Sequence, residues 1–290
     1  MTLQTSAAAE EYIPPRARSA VAQRVLLYAL LIAVALLFLV PFVWTITTSF
    51  KTIPDSVNVN LIPHPWTTAA WHDIWTNYDF KLYIRNSLFL AVLITATNML
   101  LAGLGGYAFA RLRFPGRELL FLLVLGTLMV PDQLRLIPVF VMLTNWHLIN
   151  GFTGYILISL VTATNLFFMR QYFLTIPKDF EEAAKLDGAG YFKTFWRVML
   201  PLAAPAIAAL TILQFQGTWN DFFWPLILFG QGNTHLYTVQ LGLAELRFNY
   251  SSLFPQMMAG SVIAIAPILA IFVVFQRYFV SGVVSSGVKG

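Results

Sequence analysis

Residues 177–190 read PKDFEEAAKLDGAG, a polar passage that lies between two long apolar stretches of the chain. The passage holds four of the 13 acidic residues in a 290-residue protein of which 58% is hydrophobic and 11% is charged. Soluble domains carry about 25% charged residues, and a soluble fold of this length could not bury so much apolar surface. We therefore expect an all-α integral membrane protein with one bundled domain.

The rest of the composition excludes several classes of site. The chain has no cysteine, which rules out disulfides, thiolate metal sites and a cysteine nucleophile. The net charge of +5 does not indicate nucleic acid, because the basic residues lie beside apolar runs rather than on one recognition face. The four histidines are scattered without metal-ligand spacing, and no triad or carboxylate pair stands out. We expect no catalytic residue, metal or cofactor on this chain.

Runs of about 20 apolar residues predict six membrane helices. They are residues 26–46, 87–110, 119–143, 152–168, 204–228 and 258–279. The third run is interrupted between Pro131 and Pro138, where Asp132 and Arg135 have the spacing of a helical ion pair. Residues 1–24 lack a cleavage signature and precede a run too long for a signal peptide, so the first helix is expected to be retained. The predicted organisation is a tail (1–24), a six-span domain (25–280) and a second tail (281–290).

The distribution of Lys and Arg predicts the orientation. If six spans are counted, 13 basic residues fall on the side of the two termini and five fall on the other side. The positive-inside rule therefore places both termini and the polar passage in the cytoplasm.

The polar passage carries the signals of a short helix. Asp179 and Glu182 are spaced as a helix-start signature, and Glu181 and Lys185 are spaced for a favourable i,i+4 pair. Gly188, with Gly190 as a second choice, can end the helix in a left-handed conformation. The predicted helix has about two turns and is marginal alone.

Two further features are predicted for this region. One face of the short helix should carry Phe180, Ala183 and Ala184. Residues 191–199 should form a second helix in the membrane interface, with Phe192, Phe195 and Trp196 on one side, until Pro201 redirects the chain.

The spacing of this passage resembles the EAA loop of ABC importer permeases. The match consists of Glu182-Ala183-Ala184, three residues, Gly188, nine residues, Val198 in place of the usual isoleucine, one residue, and Leu200-Pro201. Other segments resemble the carbohydrate branch, in particular the second permease of maltose-type and glycerol-3-phosphate-type importers. They are Asn86-Ser87, residues 108–111 (AFAR), 114–116 (FPG), 219–222 (WNDF), 224–226 (WPL) and 282–290. The resemblance covers nearly the whole chain beyond Arg24.

The resemblance implies a type I ABC importer permease fold in which the loop is a coupling helix docked on a cytoplasmic ATPase. Glu182 matches the glutamate expected to meet a basic residue of that ATPase, and Gly188 matches the turn glycine. The coupling residues implied in this way are Glu181, Glu182, Ala183, Ala184, Asp187, Gly188, Leu200 and Pro201.

The resemblance also implies partners and location. The chain lacks the Gly-x-x-x-x-Gly-Lys-Ser/Thr phosphate loop, so ATP and Mg are expected on two copies of an ABC ATPase. A homologous permease, usually unlike this one although a homodimer stays open, and an extracytoplasmic solute-binding protein complete the assembly. The location is the plasma (inner) membrane of a bacterium or archaeon, in contact with lipid.

Polar residues in the predicted spans are candidates for the translocation pathway. They are Asn98, Asn165, Gln214, Gln216, Trp219, Asn220 and Asp221. Most buried amides in membranes join helices to each other, and contact with sugar hydroxyls is the alternative. Asp221 lies near the predicted outer interface, where an anchor and the outer mouth of the pathway are equally open.

The leading hypothesis is a passive translocation subunit of a binding-protein-dependent importer for a sugar or sugar-like solute. A non-carbohydrate importer is one alternative. An ion-coupled secondary transporter is another, although it would need acidic or histidine relays at mid-membrane depth and often inverted repeats. The tryptophan-rich outer segment 51–81 predicts membrane anchoring or docking of a binding protein.

Overall fold

The computed structural model describes the backbone of residues 15–230, 232–249 and 253–287, and the side chains of 23–230, 232–247 and 253–276. Within these ranges the structure is helical, without a strand. Four helices are long and apolar enough to cross a membrane, and the number is six if each of two bent helix pairs is one span. The predicted all-α, six-span membrane fold is confirmed on this count.

Spans 1, 2 and 6 are continuous helices, at Pro15–Thr48, Phe80–Arg111 and Phe254–Gly287. Span 3 consists of Arg117–Leu128 and Asp132–Asn145, and span 4 consists of Phe152–Ser159 and Ala163–Thr175. Span 5 is Ala204–Asn220, which the count of six joins to residues 191–202 across a bend of 76°. The remaining helices are Ile53–Ser56, Ala69–Thr76, Asp179–Leu186, Tyr191–Thr194, the π-helix Phe195–Met199, Leu200–Leu202, Phe223–Phe229, the 3₁₀ helix Thr234–Leu236 and Val239–Asn249.

The helices of spans 1 and 6 extend beyond the predicted limits of the six-span domain. Span 1 already begins at Pro15, and span 6 continues to Gly287. Residues 1–14 and 288–290 of the predicted tails lie outside the described residues. The side of the membrane on which each tail lies stays a prediction.

The predicted interruption of span 3 is confirmed. Its two helices meet at an angle of 103°, and the second helix begins at Asp132, directly after Pro131. Arg135 donates to the Asp132 carboxylate one turn away, as the spacing predicts.

Span 5 is shorter than the sequence predicts. Its helix ends at Asn220, and residues up to 228 belong to a separate helix, Phe223–Phe229. Asp221 has extended backbone, and its Oδ1 accepts from the backbone N–H groups of Phe223 (3.0 Å) and Trp224 (3.4 Å). An aspartate that bonds to nearby N–H groups offers the backbone an alternative to the helix, which an apolar run does not reveal.

The segment before span 5 also departs from prediction. Residues 191–194 are α-helical, but Phe195–Met199 is a π-helix, so the side-chain positions rotate relative to an α-helix. Phe195 is buried in the core while Phe192 is exposed, and the predicted common face is therefore wrong. The chain turns by 76° between Leu202 and Ala204, two residues beyond Pro201.

Small residues bring span 2 and span 4 into close contact. Ala102, Gly106 and Ala110 recur every four residues and are buried. A Cβ atom at Gly106 would lie 2.7 Å from Cβ of Met169, so only glycine allows this approach. Small-xxx-small patterns of this kind let membrane helices pack backbone against backbone.

The segment between spans 1 and 2 (residues 51–81), predicted to lie on the outer side of the membrane and called the outer segment below, folds back on itself. Lys51 is only 1% exposed and its Nζ donates to the carbonyl of Asn58 at 2.9 Å. Asp55 accepts from the backbone N–H of His64 at 3.1 Å, which holds the pKa of this carboxyl below its usual value. The ring of Phe50 packs between Trp66 and Trp71. Membrane anchoring and docking of a binding protein stay the two predictions for this segment.

Candidate coupling and translocation sites

The helix Asp179–Leu186, called the loop helix below, forms at the predicted place. Asp179, Glu181 and Glu182 lie in its first turn, where carboxylates interact favourably with the helix dipole. Lys178 occupies the N-cap position and makes no side-chain cap bond. The helix therefore starts where the Asp179–Glu182 signature predicts, but Asp179 is the first helical residue rather than the N-cap.

Gly188 ends the loop helix as predicted. Its φ is +74°, a left-handed value that favours glycine. Its N–H donates to the carbonyl of Lys185 (3.0 Å), and the N–H of Ala189 donates to the carbonyl of Ala184 (2.9 Å). These two bonds are those of a Schellman motif. Gly190, the second choice, has a φ of −73° and precedes the next helix.

The loop helix has one face turned to the protein and one turned away. Ala184 is buried, whereas Phe180, Glu182 and Ala183 are exposed and Leu186 is 91% exposed. Adjacent residues differ by about 100° around a helix, so Ala183 and Ala184 cannot face the same way here. The prediction that Phe180, Ala183 and Ala184 share one face is therefore wrong for Ala184.

Glu181 points inward and pairs with Arg111 at the end of span 2. Its Oε1 lies 3.7 Å from Nε of Arg111, and the two side chains are 12% and 5% exposed. The predicted Glu181–Lys185 pair does not form, because Lys185 turns its Nζ over the ring of Tyr191 at 5.8 Å.

Arg111 also binds the end of span 4 that is predicted to face the cytoplasm. Its Nη2 donates to the carbonyls of Phe173, at 2.7 Å, and Ile176. A reciprocal contact runs from span 4 to span 2, where Nε of Arg170 donates to the carbonyl of Phe109 at 3.3 Å. Arginine suits this position because its planar guanidinium presents several donors at once.

The other predicted coupling residues lie around this unit. Asp187 is exposed and follows the loop helix directly. Leu200 is half-buried against the core, and Pro201 is exposed just before the turn into span 5. Their role in coupling stays a prediction.

Three of the predicted pathway residues form one amide network between spans. Nδ2 of Asn165 donates to Oδ1 of Asn98 (2.8 Å) and to Oε1 of Gln214 (2.7 Å). Asn98 donates in turn to the carbonyl of Ser159 at 3.2 Å. The network joins spans 2, 4 and 5, which is the usual use of buried amides in membranes.

The remaining four candidates lie apart from this network. Trp219 is buried and its Nε1 donates to the carbonyl of Ala264 in span 6 at 3.0 Å. Gln216 and Asn220 are exposed on span 5, and Asn220 accepts from Gln240 at 3.2 Å.

Asp221 has structural contacts and also lines a cavity, so both roles that the sequence leaves open stay predictions. Its Oδ1 accepts from the first two backbone N–H groups of the helix Phe223–Phe229, and its Oδ2 accepts from the hydroxyl of Tyr155 at 2.8 Å. It also lines a cavity of about 430 Å³ together with Gln214, Thr218 and Trp224. The sequence does not single out Tyr155, since one tyrosine in an apolar run carries no spacing signal.

Comparisons with known proteins agree with the motif in the loop. The chain is 36% identical over 279 residues to the arabinooligosaccharides transport system permease protein AraQ of Bacillus subtilis (strain 168), covering 92% of this chain and 96% of that protein. It is 32% identical to the diacetylchitobiose uptake system permease protein NgcG of Streptomyces coelicolor, covering 90% and 87%. It also resembles a crystal structure of a bacterial ABC transporter involved in the import of the acidic polysaccharide alginate, with a TM-score of 0.80 and 26% identity over 92% of this chain and 100% of that chain.

The family described as binding-protein-dependent transport system inner membrane component matches residues 99–285, a range that begins within span 2 and includes the loop helix. The predicted family is thereby confirmed. This chain belongs to the family of binding-protein-dependent transport system inner membrane components.

Proposed function

We propose that this chain is the translocation subunit of an ATP-driven importer and that ATPases act on it through the loop helix. The observation that supports this most is the exposed face of that helix. Phe180 and Leu186 present apolar side chains beside the acidic Glu182, on a helix whose other face is held by the protein. An exposed apolar patch with a charged rim is typical of a docking surface.

The proposed partners are those typical of the family. Two copies of an ABC ATPase carry ATP and Mg, and Glu182 meets a basic residue of one of them. A homologous but unlike permease completes the pore, and an extracytoplasmic binding protein delivers the solute. Both termini and the loop helix lie in the cytoplasm, in keeping with 13 basic residues on that side and five on the other.

We further propose that the exposed side of span 5 faces the pathway and the partner permease. Leu213, Gln216, Gly217 and Asn220 share this side by their i, i+3, i+4, i+7 spacing, and all are exposed. If this side faced lipid, the amide of Gln216 would lack hydrogen-bond partners, which is costly in hydrocarbon. A water-filled pathway or a second permease removes that cost.

A saccharide is the proposed solute. The relatives named above transport arabinooligosaccharides and diacetylchitobiose, and the similar structure serves import of alginate. The Asp221 cavity supports the same class, since it offers carboxylate, amide and hydroxyl groups beside the indole of Trp224. Sugar hydroxyls both donate and accept, and their C–H faces pack on aromatic rings.

Reconstitution of the complete transporter in proteoliposomes tests the proposal. Uptake should stop on ATP depletion while an imposed proton gradient is held constant, whereas an ion-coupled transporter would continue. Glu182→Lys and Gly188→Pro should abolish uptake while membrane insertion is retained. Normal binding-protein-stimulated ATP hydrolysis in Glu182→Lys would remove the role of the loop helix. Binding assays of the cognate external protein with oligosaccharides test the solute class.

A further inference from the structure

We infer that Arg111 is a positioning residue that makes the loop helix move as one body with spans 2 and 4. This inference rests on the proposed function, in which ATPases act on the loop helix. It concerns the opposite, inward face of that helix, where Glu181 meets the Arg111 guanidinium at 3.7 Å.

The chain connects the loop helix to span 4 only through residues 176–178. Residues 187–190 connect its other end to the helix Tyr191–Thr194, so the covalent chain attaches the loop helix at its two ends and to no part of span 2. The Glu181–Arg111 pair adds an attachment to the end of span 2, and Ala184 packs on the same inward side. An attachment along one face restricts the rotation about the helix axis that attachments at the two ends allow.

Arg111 holds three elements at once. Its Nη2 binds the carbonyls of Phe173 and Ile176 at the end of span 4, its Nε faces the loop helix, and its own backbone ends span 2. Arg111 is therefore the point at which span 2, span 4 and the loop helix meet.

Nε of Arg111 and Oε1 of Glu181 face each other in the protein interior. Both atoms are buried, neither has a hydrogen-bond partner among the described residues, and their contact at 3.7 Å is an ion pair. Removing one charge of a buried pair is costly, because the other charge loses that partner. Glu181→Asp keeps the charge but shortens the side chain by one methylene group, and it should also weaken the link.

A second ion pair nearby provides a matched control. Arg170 of span 4 binds Glu118 at the start of span 3 at 3.3 Å, and Glu118 is 61% exposed. This pair joins cytoplasmic ends of the same bundle but does not include the loop helix. Glu118→Gln removes one charge of the same sign without touching the proposed link.

The test measures solute uptake and ATP hydrolysis together in the complete reconstituted transporter. We expect Glu181→Gln and Arg111→Gln to assemble with their ATPases and to hydrolyse ATP, but to transport at least about fivefold less solute per ATP, the lower range of a typical coupling free energy. The double variant should be no worse than either single one, because both remove the same link. Glu118→Gln should keep the wild-type ratio.

Several results decide against the inference. A ratio of uptake to hydrolysis in Glu181→Gln equal to that of the wild type overturns it, and so does an equal loss in Glu118→Gln. If Glu181→Gln does not assemble, Glu181→Asp keeps the charge and decides in its place: an unchanged ratio overturns the inference and a lowered one supports it. Glu182→Lys, measured alongside, separates the two proposals. A defect there with normal coupling in Glu181→Gln removes only the role of Arg111.

Discussion

Gly106 lies where spans 2 and 4 approach most closely, and we predict that one added methyl group destabilises the protein. A Cβ atom there would lie 2.7 Å from Cβ of Met169 and 2.9 Å from the backbone nitrogen of Arg170. Because backbone atoms must move, the overpacking cost should be near the upper end of its usual range, about 3 kcal/mol. The better helix propensity of alanine offsets about 1 kcal/mol. The free energy of unfolding should therefore fall by about 2 kcal/mol in Gly106→Ala.

Two other glycines serve as controls. A Cβ atom at Gly126 in span 3 would meet nothing within 4 Å, and one at Gly103 would meet Cζ of Phe195 at an ordinary 3.8 Å. Gly126→Ala should be neutral or stabilising by up to about 1 kcal/mol, and Gly103→Ala should be nearly neutral.

Equilibrium unfolding by SDS in mixed micelles, followed by far-UV circular dichroism, measures all three variants under one condition. The reasoning is refuted if the unfolding free energies of Gly106→Ala and Gly126→Ala agree within about 0.5 kcal/mol, the usual range for inert substitutions. In that case the two spans do not approach each other as closely as the small residues require.

The remaining predictions concern three polar contacts. Trp219→Phe removes the bond to the Ala264 carbonyl and should lower unfolding free energy by about 1 kcal/mol in the same SDS titration. Asn165→Ala breaks two bonds between spans and should cost about 1–2 kcal/mol, whereas Gln216→Ala, on an exposed side chain, should cost almost nothing. The His64 N–H holds the pKa of Asp55 below 3.8, so the ionised carboxylate stabilises the outer segment above that pH and this contribution is lost as the pH falls through the lowered pKa. Tryptophan fluorescence should report this acid transition, and Asp55→Asn should abolish it.

The sequence predicts the features that depend on long runs or on local backbone chemistry. Span number follows from apolar length, and the interruption of span 3 follows from Pro131 and its polar neighbours. The end of the loop helix follows from Gly188, because few other residues adopt a φ of +74° without strain.

Contacts that depend on which spans are neighbours could not be predicted from apolar runs or from local backbone chemistry. Glu181 has Lys185 at an ideal helical spacing, yet it pairs with Arg111, 70 positions earlier in the chain. Tyr155 and Asp221 are likewise joined only because spans 4 and 5 meet. A surface pair at i,i+4 contributes a few tenths of a kcal/mol, whereas a buried charge without a partner costs several. Glu181 therefore pairs with the buried Arg111 rather than with Lys185.

The two ends of the bundle are held by different chemistry, and this difference bears on how the protein moves. The ends of spans 2 and 4 beside the loop helix are joined by reciprocal arginine-to-carbonyl bonds from Arg111 and Arg170, with Gly106 in close contact between them. Bonds from a rigid, charged fork to backbone carbonyls resist sliding more than single bonds between side chains do. Toward the other end, span 5 is joined to span 4 by such single bonds, from Asn165 to Gln214 and from Tyr155 to Asp221, and its helix ends beside Asp221. A push on the loop helix should therefore carry spans 2 and 4 as a unit, and rearrangement should concentrate around span 5 and its turn at Asp221.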